Sequence, residues 1–310
     1  MNSILARSTS VDLTQIRLVL MDIDGTLLRG SEFELENVKH QLNRLKNRGV
    51  KFTIATGRTL MGAQKVIQAL RDKKKGQLII AYNGGVIASI DSNPWVSRHV
   101  IGEAIFLNLI RVCRKFGVAP LVYCCKYESG KKGASEEVFT ENAAIASRGV
   151  EFNDMPIHLV NSLDDIQATD VVAVLVTDSR GPVFVNQLSD SIKQEFGTLL
   201  RVTTSGGHYL EIAHPNATKR NAMEQLCFRL GIKVNAVMAI GDNFNDLEML
   251  AAAGYGVAVA NSPDEVKAAS RYVCKQEATM GVVESLMPVA TAHNDLYFKL
   301  QRSEKTRSKG

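Results

Sequence analysis

The chain has 310 residues, 45% of them hydrophobic, with 37 basic and 32 acidic side chains and a formal net charge of +5. That length allows one large domain or two modest ones. No apolar run approaches the roughly 18–20 residues of a membrane span, and Met1 to Gln15 holds no apolar leader core, so neither an anchor nor a signal peptide is expected.

The apolar run 17–21 predicts a buried strand that stops at Asp22. Val38, Leu42 and Leu45 have helical spacing, and Gly49 follows as a stop signal. A strand at 52–55, a helix at 59–70 and a strand at 78–81 continue the alternation, which predicts a parallel sheet with helices on both faces. After Asn83-Gly84-Gly85 the rhythm changes. Runs 86–90 and 95–100 read as a hairpin about a turn at 91–94. An amphipathic helix is expected at 103–116, a strand at 121–125 and a polar mobile loop at 128–137. A strand at 171–177, a helix at 182–196 and strands at 199–204 and 209–212 complete a mixed region.

Alternation then returns: helix 218–230, strand 237–240, helix 247–253, strand 256–260 and helix 263–269. The fold class expected is α/β, a Rossmann-like doubly wound parallel-sheet core with an inserted α+β cap domain. Its core comes from residues 1–84 and 209–310, and the insert from 85–208. From Lys299 onward five basic residues face one acid, so the tail carries +4 of the net charge. The body is close to neutral, which speaks against a nucleic-acid partner and reads the tail as frayed and solvated. The five cysteines form no CxxC pair and no zinc spacing, which fits reduced thiols in a cytoplasm.

Four clusters carry chemistry. Asp22-Ile23-Asp24-Gly25-Thr26 follows the first strand, at the sheet edge where open α/β folds bind ligands. One of its carboxylates can attack phosphorus while the other handles protons. Gly25 stands fourth in this run, not sixth as a calcium loop requires. Thr56-Gly57-Arg58 follows the second strand and offers a hydroxyl and an amide before a helix N-terminus, a suitable phosphate cradle. Lys219 opens a helix, where a cation is unfavourable unless an anion faces it. Gly241-Asp242-Asn243-Phe244-Asn245-Asp246 follows another core strand, and Asp242 with Asp22 could offer hard oxygen ligands to a cation.

Together these residues resemble the haloacid dehalogenase-like hydrolase superfamily, in particular its Cof-like phosphatases with a type IIB α+β cap. The resemblance runs from about Arg17 to Met287 through DIDGT, ATGR, Lys219 and GDNFND, with YNGG (82–85), YLEI (209–212) and GVAVAN (256–261) in support. It implies a Mg²⁺-dependent phosphatase that hydrolyses a small phosphorylated metabolite through an aspartyl-phosphate. Asp22 would be nucleophile and metal ligand. Asp24 would be the general acid and base, touching the metal through its backbone carbonyl. Thr56, the Gly57 amide, Lys219 and Asn245 would hold phosphate; Asp242 would bind metal; Asp246 and Arg58 would support. A phosphotransferase or mutase on the same core is the alternative, and a non-catalytic regulatory protein is disfavoured by the presence of all three aspartates. His214-Pro215-Asn216-Ala217 and Phe244 depart from the usual family pattern. The scattered His99, His158, His208 and His214 read as surface or structural residues, and Trp95 as cap packing.

Overall fold

The computed structural model describes residues 12–29, 32–70, 78–89, 96–127, 134–147, 155–205 and 208–307. In chain order the elements are β1 (Leu18–Met21), α1 (Glu32–Lys46), β2 (Lys51–Ile54), α2 (Leu60–Leu70), β3 (Leu78–Ala81), β4 (Val86–Ser89) and β5 (Val96–Arg98). Next come α3 (Glu103–Lys115), β6 (Leu121–Tyr127), β7 (Ala134–Thr140), α4 (Ala143–Ser147), β8 (Ile157–Leu159), β9 (Val171–Thr177) and α5 (Pro182–Phe196). The chain ends with β10 (Arg201–Ser205), β11 (Tyr209–Ala213), α6 (Lys219–Leu230), β12 (Val237–Gly241), α7 (Leu247–Ala252), β13 (Tyr255–Ala258), α8 (Asp264–Ala269), β14 (Tyr272–Val273) and α9 (Ala278–Arg307).

Two compact units result. The first holds Met1–Thr56, Lys65–Lys74 and Lys219–Gly310; the second holds Gly57–Gln64 and Lys75–Thr218.

The first unit is built on a five-stranded parallel sheet in the order β14-β13-β12-β1-β2. All four residues of β1 are buried, as expected of a parallel strand covered on both faces. On α1, Val38, Leu42 and Leu45 are buried, and the helix gives way to Gly49 at φ +80°, a left-handed stop that glycine adopts without strain. From β1 the chain crosses to β2 on one side, while β12 lies on the other. Strand order therefore reverses between β1 and β12, and the ends of these strands flank the crevice where such sheets bind ligands.

The second unit carries a six-stranded sheet in the order β10-β11-β9-β6-β7-β8, antiparallel except for the β7–β8 pair. One apolar cluster joins Phe106, Leu109 and Val112 of α3 and Val185, Leu188 and Ile192 of α5 with Val122, Val174 and Leu210 of the sheet. A three-stranded antiparallel sheet, β3-β4-β5, stands beside it in the same unit.

Four expectations change. Residues 209–213, expected in the core, form β11 between β10 and β9 of the six-stranded sheet, because their backbone pairs antiparallel with both. Residues 78–81 form a strand, but it pairs with β4 rather than joining the parallel sheet. The reason is the turn at Tyr82, Asn83 and Gly84: all three have positive φ (51°, 52° and 99°), which folds the chain straight back on itself. Residues 134–137, expected in a mobile loop, begin β7, because Glu136 and Glu137 find partners within the unit. The basic tail, expected to be frayed, has helical backbone through Arg307 in α9, whose earlier turns pack on α1. The turn at 91–94, Trp95, residues 128–133 and the termini at 1–11 and 308–310 lie outside the described residues. Among the described residues no helix is long and apolar enough to cross a membrane.

Candidate active site

Asp22 is the residue after β1 and Asp242 the residue after β12, so the parallel register sets them side by side: Met21 pairs with Ile240, and the Asp22 amide donates to the Ile240 carbonyl at 3.0 Å. Both carboxylates are buried, at 4% and 8% exposure. Lys219, the first residue of α6, is 1% exposed. Its Nζ donates to Asp22 Oδ1 at 2.6 Å and to Asp246 Oδ1 at 2.7 Å. The misfit of a lysine at a helix start is thus answered by two anions.

Asp246 is fully buried, and its second oxygen accepts the backbone amides of Asp242 and Asn243, each at 3.1 Å. That carboxylate folds the 242–246 loop into place. Gly241 precedes it because a Cβ there would lie 2.5 Å from Asp246 Cγ. Gly25 answers a similar need: its φ is +81°, and a Cβ would lie 2.2 Å from Asp242 Oδ2. Thr26 Oγ1 donates to Asp242 Oδ1 at 2.7 Å. Asn261 Nδ2 donates to the Gly25 carbonyl at 2.9 Å, and Thr279 Oγ1 to the Leu27 carbonyl at 2.9 Å, so the turn after β1 is pinned from two sides.

Asp22, Asp242 and Asp246 each place a carboxylate oxygen within 4.8 Å of the others. Three buried carboxylates face one ammonium. Burial, opposed by Lys219 and reinforced by Asp246, pushes the Asp22 carboxyl up to about 8. Burial pushes Asp242 up to about 6, against the hydrogen bond from Thr26. For Lys219, burial alone would lower the ammonium, but Asp22 and then Asp246 more than offset it and hold it above the ordinary lysine range. An all-oxygen cluster with surplus negative charge fits a hard divalent cation.

The remaining predicted residues fall in both units. Asp24 is exposed on the turn after Asp22, and its charge contributes to raising Asp242; its carboxylate is not in the trio. Thr56, buried, ends the first unit's segment two residues after β2. Asn245 is half-buried in the 242–246 loop. Gly57 and Arg58 begin the second unit's first segment, with Arg58 Nη1 reaching the Gly62 carbonyl at 3.3 Å. Thr26 and Asn261 lie in the DIDGT and GVAVAN runs, but local pattern gives neither a role; only the fold shows what their side chains hold. The cysteines are free and buried. His99 and His214 stack with ring centroids 5.1 Å apart. In the second unit a cavity of about 90 Å³ is lined by residues including Gly57, Tyr82 and Glu211. A larger cleft of about 450 Å³, among Lys126, Phe139 and Asp165, contains none of the predicted site residues.

A parallel α/β sheet with a lysine-compensated carboxylate cluster at its reversal point defines a Rossmann-like hydrolase core. The family model of the haloacid dehalogenase-like hydrolases matches residues 19–286, and the chain belongs to that family. It is an enzyme of the phosphatase class. A Bacillus subtilis protein named "Putative phosphatase YxeH" is 29% identical over 279 residues, covering 89% of this chain and 99% of that protein. Another from Bacillus subtilis, 5-amino-6-(5-phospho-D-ribitylamino)uracil phosphatase YwtE, is 27% identical and covers 86% of this chain and 96% of its own. The crystal structure of a haloacid dehalogenase-like hydrolase from Bacteroides thetaiotaomicron superposes with a TM-score of 0.73 at 25% identity, covering 88% of this chain and 99% of that one.

Proposed function

We propose that the protein is a Mg²⁺-dependent phosphatase that hydrolyses a small phosphorylated metabolite through an aspartyl-phosphate on Asp22. The observation that carries this reading is the buried Asp22–Lys219–Asp246 ion triad beside Asp242. Asp22 and Asp242 would hold the cation, with the Asp24 backbone carbonyl. When bound, Mg²⁺ offsets the repulsion between an anionic nucleophile and an anionic phosphate.

An Asp22 carboxylate oxygen attacks phosphorus and the bond from phosphorus to the ester oxygen breaks. Asp24 donates its proton to that leaving oxygen. It then takes a proton from water, and the resulting hydroxide attacks the phosphorus of the aspartyl-phosphate. Asp22 leaves as carboxylate and phosphate is released. Lys219 orients Asp22 and, together with the bound cation, would favour its anionic form against the cost of burial, while Thr56, the Gly57 amide and Asn245 position the phosphoryl oxygens. Phosphoryl transfer demands mainly such positioning and charge stabilisation.

The exposure of Asp24 suits a residue that exchanges protons with water, whereas Asp22 sits where water is scarce. Residues 85–208 would be the cap that selects the substrate. Sugar phosphates, pyridoxal phosphate and phosphorylated flavin precursors are the candidates, the last supported by the name of the YwtE relative. The free, buried cysteines fit a cytoplasmic setting. A panel of phosphorylated metabolites, assayed with Mg²⁺ and with EDTA, tests the proposal. Release of phosphate should require the metal, and rapid quenching should trap label on Asp22. Equal turnover in EDTA would remove the metal from the reading, and label on another residue would remove Asp22.

A further inference from the structure

Tyr82 and Asn83 are consecutive residues in the left-handed region, at φ 51° and 52°. Asparagine tolerates that conformation; a bulky tyrosine does so only under constraint. Each is tethered by a carboxylate of the six-stranded sheet. Tyr82 OH donates to Glu136 Oε1 of β7 at 2.6 Å. Asn83 Nδ2 donates to both oxygens of Glu211 of β11, at 3.0 and 2.9 Å. A carboxylate only accepts, so the orientation of the Asn83 amide is fixed.

The same two tethers reach the predicted phosphate turn. The Asn83 side chain lies directly against Gly57, where a Cβ would come within 3.1 Å of Asn83 Oδ1. The Tyr82 amide donates to the Arg58 carbonyl at 2.9 Å. Glu136 accepts the first two amides of α2, from Leu60 and Met61, both at 2.8 Å, and Thr59 Oγ1 accepts the third, from Gly62, at 2.9 Å. These are the orphan donors of a helix start, here satisfied mostly from a strand 76 residues away in sequence. YNGG and YLEI, which the proposed chemistry does not use, supply Tyr82, Asn83 and Glu211.

We propose that Asn83 and Glu211, with Glu136, are positioning residues that fix the backbone of the Gly57–Thr59 turn for phosphate. This rests on the reading that Thr56 and the Gly57 amide bind phosphate. Displacement of such a turn by about 1 Å is enough to cost on the order of 10²-fold in rate.

The test is the inhibition constant of inorganic phosphate, with Mg²⁺ present, against hydrolysis of an aryl phosphate. Asn83→Asp keeps a residue that tolerates positive φ but sets two carboxylates face to face. It should raise the inhibition constant about 10- to 100-fold, the loss typical of a hydrogen bond to a charged group. The double variant Asn83→Asp, Glu211→Gln restores a donor facing a carboxylate and should return the constant to within about threefold of the parent. A folded Asn83→Asp protein with an unchanged constant, or no recovery in the double variant, overturns the proposal. Should Asn83→Asp fail to fold by circular dichroism, Glu211→Gln alone carries the test, with a rise of at least about threefold expected and none overturning it. Thr56→Ala separates the two layers. An unchanged constant there sinks the phosphate reading and the clamp with it; a raised constant there beside an unchanged one in Asn83→Asp sinks the clamp alone.

Discussion

At the ends of β1 and β12 the first unit buries Asp22, Lys219, Asp242 and Asp246. Between its sheet and the helices α3 and α5 the second unit buries Phe106, Leu109, Val174, Leu188 and Ile192. The apolar cluster stabilises its unit directly, at about 1.5–3 kcal/mol for each large side chain removed from water. The charged cluster does the reverse: taking ions out of water costs several kcal/mol each, and pairing repays that only when the geometry is good. Burial that costs stability in the first unit marks the place where, on the proposed reading, chemistry occurs. On that reading, a nucleophile that attacks an anion would be kept dry, aimed and charge-compensated.

Substitutions can break this contrast at different points. The largest effect is expected from Asp22→Asn, which removes the attacking oxygen. Turnover should fall on the order of 10⁴–10⁶-fold in initial-rate assays, by analogy with other nucleophile deletions. Its thermal midpoint should not fall, since Lys219 keeps Asp246 and the amide oxygen can still accept its second hydrogen bond. A loss of stability matching the loss of activity would make Asp22 a structural residue.

Asp24→Asn should slow turnover by roughly 10²–10⁴-fold. The loss should be smaller for aryl than for alkyl phosphates, because a good leaving group needs less protonation. Equal losses on both substrates would take away the acid role.

Lys219→Met and Leu188→Ala compare the two kinds of burial directly. Lys219→Met leaves buried carboxylates uncompensated, at about 3–5 kcal/mol in urea unfolding. Leu188→Ala leaves a cavity, at about 2–5 kcal/mol. The first deficit should shrink when Asp22→Asn is added, because the two sites couple. The second should stay the same. Simple additivity in both pairs would contradict the charge argument.

A further expectation concerns pH. The raised carboxyls of Asp22, to about 8, and Asp242, to about 6, bind more protons folded than unfolded, where both titrate near 3.9. Metal-free protein should therefore lose stability as pH rises from about 5 to 8. Saturating Mg²⁺ should flatten that slope, because a cation takes over the role of the protons. Thermal midpoints with and without the metal across this range check the sign; a rise with pH in the metal-free protein would refute it.

By itself the sequence marked, as short apolar runs, four of the first unit's five strands and the motifs at their ends, whereas β14, only two residues long, left no such run. Short apolar runs that stop at Asp22 and Asp242 can be read locally, since a parallel strand buried on both faces is apolar throughout. It also marked Lys219, a cation in an unfavourable place. Asp246 joins Asp22 and Asp242 only in the folded chain, because its role depends on Lys219, 27 positions away. Tertiary contacts likewise turned Glu136 from an apparent loop residue into the cap of α2. The turn at Tyr82–Asn83 took β3 out of the parallel sheet, and its strain is held by partners 54 and 128 residues distant. Patterns of apolar spacing record which face of an element is buried. They carry no trace of which polar side chain meets which across the chain, because a hydrogen bond is decided by distance in space.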